Sequence, residues 1–125
     1  MLKTLMLCSG VFEALFGLPV LIAPNLFFRA LEAESSASGV FAVRVLGAAT
    51  LALAVAALLA SNELDSKGGL AAAYGLGLYN VLAGGLILWT AAAGSLSGTA
   101  ALWGGGLIHA TIGALFVYAL ATRGK

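Results

Sequence analysis

The chain has 125 residues, of which 62% are hydrophobic and only 9% charged, with a formal net charge of +1. Soluble domains carry about 25% charged residues, and so short a chain buries only part of what it exposes, so this composition excludes an ordinary soluble fold. The near-neutral balance also excludes an electrostatic footprint for nucleic acid. A mean hydropathy of +1.07 and four long gaps between the clustered charges predict a single all-α membrane domain over residues 1–125, folded as a four-helix bundle.

The first predicted span runs from about Leu2 to Ile22. At 1.5 Å per residue it is about 31 Å long, enough to cross the hydrocarbon core. Pro19 falls in its last turn and Pro24 ends it. From Asn25 to Glu34, Leu26, Phe27, Ala30 and Leu31 share one face while Arg29, Glu32 and Glu34 lie away from it, which suits a short helix lying in the membrane interface. Ser35–Gly39 breaks that pattern, with Ser38 as a candidate N-cap.

The second span covers about residues 40–60, the third about 69–93 and the fourth about 99–121. The Asn62–Lys67 stretch between the second and third is polar, whereas Gly94–Gly98 is an uncharged tight turn. Connections this short make neighbouring helices antiparallel, giving an up-down-up-down order. Lys3, Lys67, Arg123 and Lys125 then share one side, and Arg29 stands alone on the other. The positive-inside rule places both termini in the cytoplasm, for a multi-pass protein of the cell inner membrane. Trp89 and Trp103 read as aromatic-belt anchors near the outer boundary.

Each span holds one strongly polar residue: Glu13, Arg44, Asn80 and His109. Helical rise sets Glu13, Asn80 and His109 about 13–16 Å from a span end, near the midplane of a core about 30 Å thick. A charge at that depth costs about 2.5–3.5 kcal/mol on the insertion scale. Residues three and four apart share a helix face. Around Glu13 these are Ser9, Gly10, Phe16 and Gly17; around Asn80, Leu76, Gly77, Ala83 and Gly84; around His109, Gly105, Gly106, Ile112 and Gly113. Gly47 and Ala48 follow Arg44 in the same way. Small-residue stripes mark helix–helix faces in membranes, and Gly69, Ala73 and Gly77 form such a ladder. The four polar side chains are therefore expected to point into the bundle, Arg44 either pairing with Glu13 or snorkelling to the headgroups. Of Tyr74 and Tyr79, only one can share the face of Asn80.

The expected binding residues are thus Glu13, Arg44, Asn80, His109, Tyr74 and Tyr79. No cysteine–histidine spacing offers a zinc site, and the lone Cys8 supports neither an internal disulfide nor thiol–disulfide chemistry. Leu5–Cys8 lacks the small residues of a lipoprotein cleavage box, and Glu13 interrupts the apolar core that a cleaved signal peptide needs. Little chain lies outside the spans to form a soluble catalytic domain. The pattern predicts a protein that binds a small or lipid-like ligand inside the bundle, or serves as a subunit beside a membrane partner or further copies of itself.

Two family resemblances extend this reading. Four spans with Glu13 in the first resemble the small multidrug resistance transporters, which implies proton-coupled transport through that carboxylate. The third span, AYGLGLYNVLAGG, departs from that family in lacking its tryptophan, and the charge bias departs from its dual topology. The layout from Pro24 to Arg44 and Gly47 is similar to the DoxX-like bacterial membrane proteins, which implies a redox or lipid-modifying role with His109 and Glu13 as acid and base or as a quinone contact. A lone histidine cannot supply bis-histidine haem ligation within one chain.

Overall fold

A computed structural model of the chain describes residues 1–94 and 99–123. Among them run five α-helices: α1 (Leu2–Ile22), α2 (Pro24–Ala30), α3 (Ala37–Ala60), α4 (Lys67–Ala93) and α5 (Ala100–Ala121). Four of these, α1, α3, α4 and α5, are long and apolar enough to cross a membrane. The turn expected over 95–98 and the tail at 124–125 lie outside the described residues.

Hydroxyl caps set where the helices start. The Gly39 N–H donates to Ser36 Oγ at 3.0 Å, so α3 begins at Ala37, not Val40, and Ser36 replaces Ser38 as the cap. The Gly69 N–H donates to Ser66 Oγ at 2.9 Å, starting α4 at Lys67. Thr99 caps α5 through the Leu102 N–H. Each cap satisfies one of the donors that a helix start leaves orphaned.

α1 continues through Pro19 and stops at Ala23, where Pro24 opens α2. The short helix is smaller than the expected Asn25–Glu34. Glu32 takes a left-handed φ of 51°, the Ala33 N–H reaches the Phe28 carbonyl and the Glu32 N–H reaches that of Arg29. This is the Schellman pattern of helix termination, with a glutamate where glycine is usual. It ends α2 at Ala30.

The long helices bury narrow seams that advance in alternating steps of three and four. On α1 the seam holds Met6, Ser9, Gly10, Glu13, Gly17 and Val20; on α3, Val43, Gly47, Thr50, Ala54 and Ala57. α4 buries Gly69, Ala73, Leu76, Gly77, Asn80 and Gly84, and α5 buries Leu102, Gly106, His109, Gly113, Phe116 and Ala119. The outer faces are apolar, with Leu15, Leu59 and Trp89 72%, 72% and 74% exposed. Water would not tolerate so broad an apolar belt on a monomer; hydrocarbon does.

Glycine lets the helices pair closely. A Cβ on Gly47 would stand 2.6 Å from the Leu21 nitrogen, and one on Gly17 would collide with Thr50 Oγ1. A Cβ on Gly84 would stand 2.6 Å from the Ala110 nitrogen. Gly10 meets Ala54 and Leu58 while Gly17 meets Gly47 and Thr50, so numbers rise on α1 as they fall on α3. The same opposition holds for Gly77 with Phe116 and Gly106 with Leu88. Two antiparallel pairs result, α1 with α3 and α4 with α5. They are joined by a core of Met6, Ala57, Ala73, Leu76 and Phe116.

This packing separates two chemically identical substitutions. Gly84→Ala forces backbone apart and is expected to cost about 1–3 kcal/mol. Nothing lies within 4 Å of a Cβ on Gly75, so Gly75→Ala is expected to be neutral or to gain about 0.5–1 kcal/mol from helix propensity. Thermal unfolding of both variants in the same detergent checks the contrast; equal melting temperatures would refute it.

Candidate functional site

Three of the expected polar residues lie on the seams near the middle of their helices. Glu13 and Asn80 are fully buried and His109 is 6% exposed. The helical ladder first fixes Asn80: its Nδ2 donates to the Leu76 carbonyl at 2.9 Å. A carbonyl can only accept, so the amide nitrogen must face Leu76 and Oδ1 must face the other way. Oδ1 lies 2.8 Å from His109 Nδ1. That nitrogen therefore carries the hydrogen, and Nε2 is the ring nitrogen left for other partners.

Two aromatic edges hold the imidazole in place. Phe12 and Tyr79 each meet it in a T-shaped contact, with ring centroids 5.8 Å and 5.6 Å away. The Phe12 contact links α1 to α5 at the level of His109, and Glu13 is the next residue along. Neither carboxyl oxygen of Glu13 has a hydrogen-bond partner among the described residues. Buried polar atoms in native proteins are nearly always paired, so an orphaned carboxyl calls for an explanation.

Beside this cluster the two helix pairs diverge around a cavity of about 410 Å³. Its walls include Phe16, Phe27, Leu46, Leu86, Tyr79 and His109. Phe27 comes from α2, so the short helix forms part of the wall. The lining is apolar apart from Tyr79 and His109, and the volume falls within the range of small-molecule sites, which often lie between the helices of bundles.

Two expected site residues are not there. Arg44 is exposed and makes no bond to Glu13. It stands one position past Val43 on the seam, and its four-residue neighbour Ala48 is exposed too, so that turn faces outward. About 10 Å separates it from the start of α3 along the axis, within reach of headgroups by snorkelling. Tyr74 is 59% exposed and lies on the outer face of α4. Tyr79 is the tyrosine that turns inward, half-buried against His109.

Sequence reasoning missed Thr50, the polar residue that α3 does contribute to the interior. It is fully buried, and its hydroxyl donates to the Leu46 and Gly47 carbonyls at 3.1 and 3.0 Å. The signal was the Val43–Gly47–Thr50–Ala54 spacing. Ser9 is likewise buried, on the same face of α1 as Glu13. Among the described residues no group of three His, Cys, Asp or Glu side chains is placed to hold a metal ion.

Comparison of the chain with protein-family models, with curated proteins and with solved structures returned no match. The geometry of the site is accordingly the ground for a functional reading.

The Asn80 bond makes a spectroscopic prediction. In ¹⁵N NMR of labelled protein, His109 Nδ1 is expected to carry the proton as the dominant form. Asn80→Leu should release that preference and destabilise the protein by about 1–3 kcal/mol, because a buried N–H loses its acceptor. A wild-type ring protonated chiefly at Nε2 would contradict the assignment.

Proposed function

We propose that this is a multi-pass membrane protein that binds a small, largely apolar or lipid-like ligand inside its helix bundle. The observation that carries the reading is the juxtaposition of the cavity with Tyr79 and His109 in its wall and Glu13 and Asn80 buried beside it. Ionisable groups inside a membrane-spanning bundle are costly and tend to mark ligand or ion sites. The apolar wall would take the body of the ligand, and Tyr79 and His109 its polar end.

In this reading the four long helices cross the inner membrane up-down-up-down, with both termini in the cytoplasm. Support comes from the opposed pairing of α1 with α3 and of α4 with α5. It also comes from the 2.7 Å ion pair between Arg123 and Asp65, which brings the end of α5 to the α3–α4 connection. That end carries Lys3, Lys67 and Arg123, the excess expected of a cytoplasmic face. α2 lies in the opposite interface, with Phe27 at the cavity and Arg29 outward.

The test is native mass spectrometry of protein extracted into lipid nanodiscs directly from membranes. A bound small molecule is expected on the wild type. Ala83→Trp, which fills the cavity from its own wall, should remove it. A bare wild-type mass, or unchanged occupancy in Ala83→Trp, would overturn the reading.

A further inference from the structure

The cavity is polar at one end and open at its side. Along α4 its wall runs from Tyr79 through Leu82, Ala83 and Leu86 to Ile87, about 12 Å of helical rise. Tyr79 packs against the apolar core of Met6, Ala57, Ala73, Leu76 and Phe116, so the Tyr79–His109 end is the closed, inner one. The other end lies beside α2, where Phe27 meets Phe16 edge to face at 6.2 Å and both rings form wall. Between the two ends, Leu82 and Leu86 line the cavity and are nevertheless 62% and 69% exposed. An enclosed chamber would cover them. The cavity therefore opens through the side of the bundle, onto the hydrocarbon of the membrane half that holds α2. Among the described residues that line it there is no lysine, arginine, aspartate or glutamate.

From this layout we propose that the ligand is an uncharged, single-chain lipophile of the membrane that lies with its polar end inward, at Tyr79 and His109, and its tail toward α2. The inference rests on the proposed binding role of the cavity and adds the orientation and charge of the ligand. A bilayer phospholipid lies the other way round. Its head group stays in the interface, and its chain ends would meet the two polar rings. The inverted pose is open only to a molecule that can carry its polar end through hydrocarbon. A charged group at that depth would find no carboxylate, ammonium or guanidinium in the wall and would bear the full cost of leaving water. A hydroxyl or carbonyl costs far less, and a phenol hydroxyl both donates and accepts, so Tyr79 suits either. The volume of about 410 Å³, toward the lower end of small-molecule sites, suits one chain.

The experiment uses Trp89 as its reporter. Trp89 is 74% exposed and shares a face of α4 with Leu82 and Leu86, on the outer side of the opening. Trp103→Phe leaves it as the only indole. Bromine quenches tryptophan at short range; 10-bromo-1-decanol carries it at the tail and 2-bromo-1-decanol beside the hydroxyl. Each is titrated into nanodiscs, and the quenching that counts is the part removed by filling the cavity with Ala83→Phe or, independently, with Leu46→Phe. The tail-brominated alcohol is expected to give the greater such quenching, and (10-bromodecyl)trimethylammonium to need about a hundredfold higher concentration in the bilayer. Equal quenching by the two alcohols, or more from the 2-bromo isomer, overturns the orientation while the binding role of the cavity stands. An ammonium that binds as tightly as the alcohols overturns the requirement for a neutral ligand. If neither alcohol gives quenching that the filling variants remove, the binding role fails as well.

Discussion

A carboxyl group enclosed in an apolar bundle, with neither oxygen bonded among the described residues, is the constraint around which this molecule is arranged. Arg44, the described cation set deepest in a spanning helix, faces outward on α3, while Lys3 and Lys67 stand at the starts of α1 and α4. The protein tolerates Glu13 because α1 as a whole is strongly apolar, with a mean hydropathy of 2.1, enough to carry one such group. Functional sites are where proteins retain such costs.

The glycine contacts explain why this group has a cavity for a neighbour. Gly17 and Gly47 bring α1 against α3, and Gly84 and Gly113 bring α4 against α5, at distances that leave no room for a Cβ. Each pair is packed backbone to backbone, a rod of two helices. The rods meet through Met6, Ala57, Ala73, Leu76 and Phe116 in one half of the bundle and part in the other, where Phe27 of α2 and Leu46 of α3 form walls with α4. The Asn80–His109 bond lies inside one rod. It holds the imidazole in the wall of the cavity with Nδ1 committed to Asn80, as a hydrogen bond from the far nitrogen fixes a metal-bound histidine.

Much of this was legible in the residues. Long apolar gaps gave four helices nearly to the residue, because in hydrocarbon only a helix satisfies its own backbone. Glu13, Asn80 and His109 were readable as inward-facing because each has glycine three or four positions away, and glycine stripes mark close helix contacts. Arg44 misled for a related reason. Gly47 and Ala48 are adjacent small residues that follow it, and only Gly47 is on the seam; spacing alone does not say which of two small neighbours touches another helix. Thr50 was overlooked because threonine is only weakly polar and so does not stand out in an apolar run; the bonds from its hydroxyl to its own helix are what let it be buried there. The cavity was not legible at all. Its wall draws on all five helices, and no single segment encodes how they come together.

The claim on which everything else stands is that Glu13 is buried without a partner. The direct measurement is the unfolding free energy of Glu13→Leu relative to wild type, with no added ligand, by denaturant titration in a fixed detergent. A lone buried carboxyl replaced by an apolar side chain should stabilise the protein by about 1–3 kcal/mol, the desolvation cost relieved. A loss of about 3–5 kcal/mol would be the signature of a broken buried ion pair and would contradict the account.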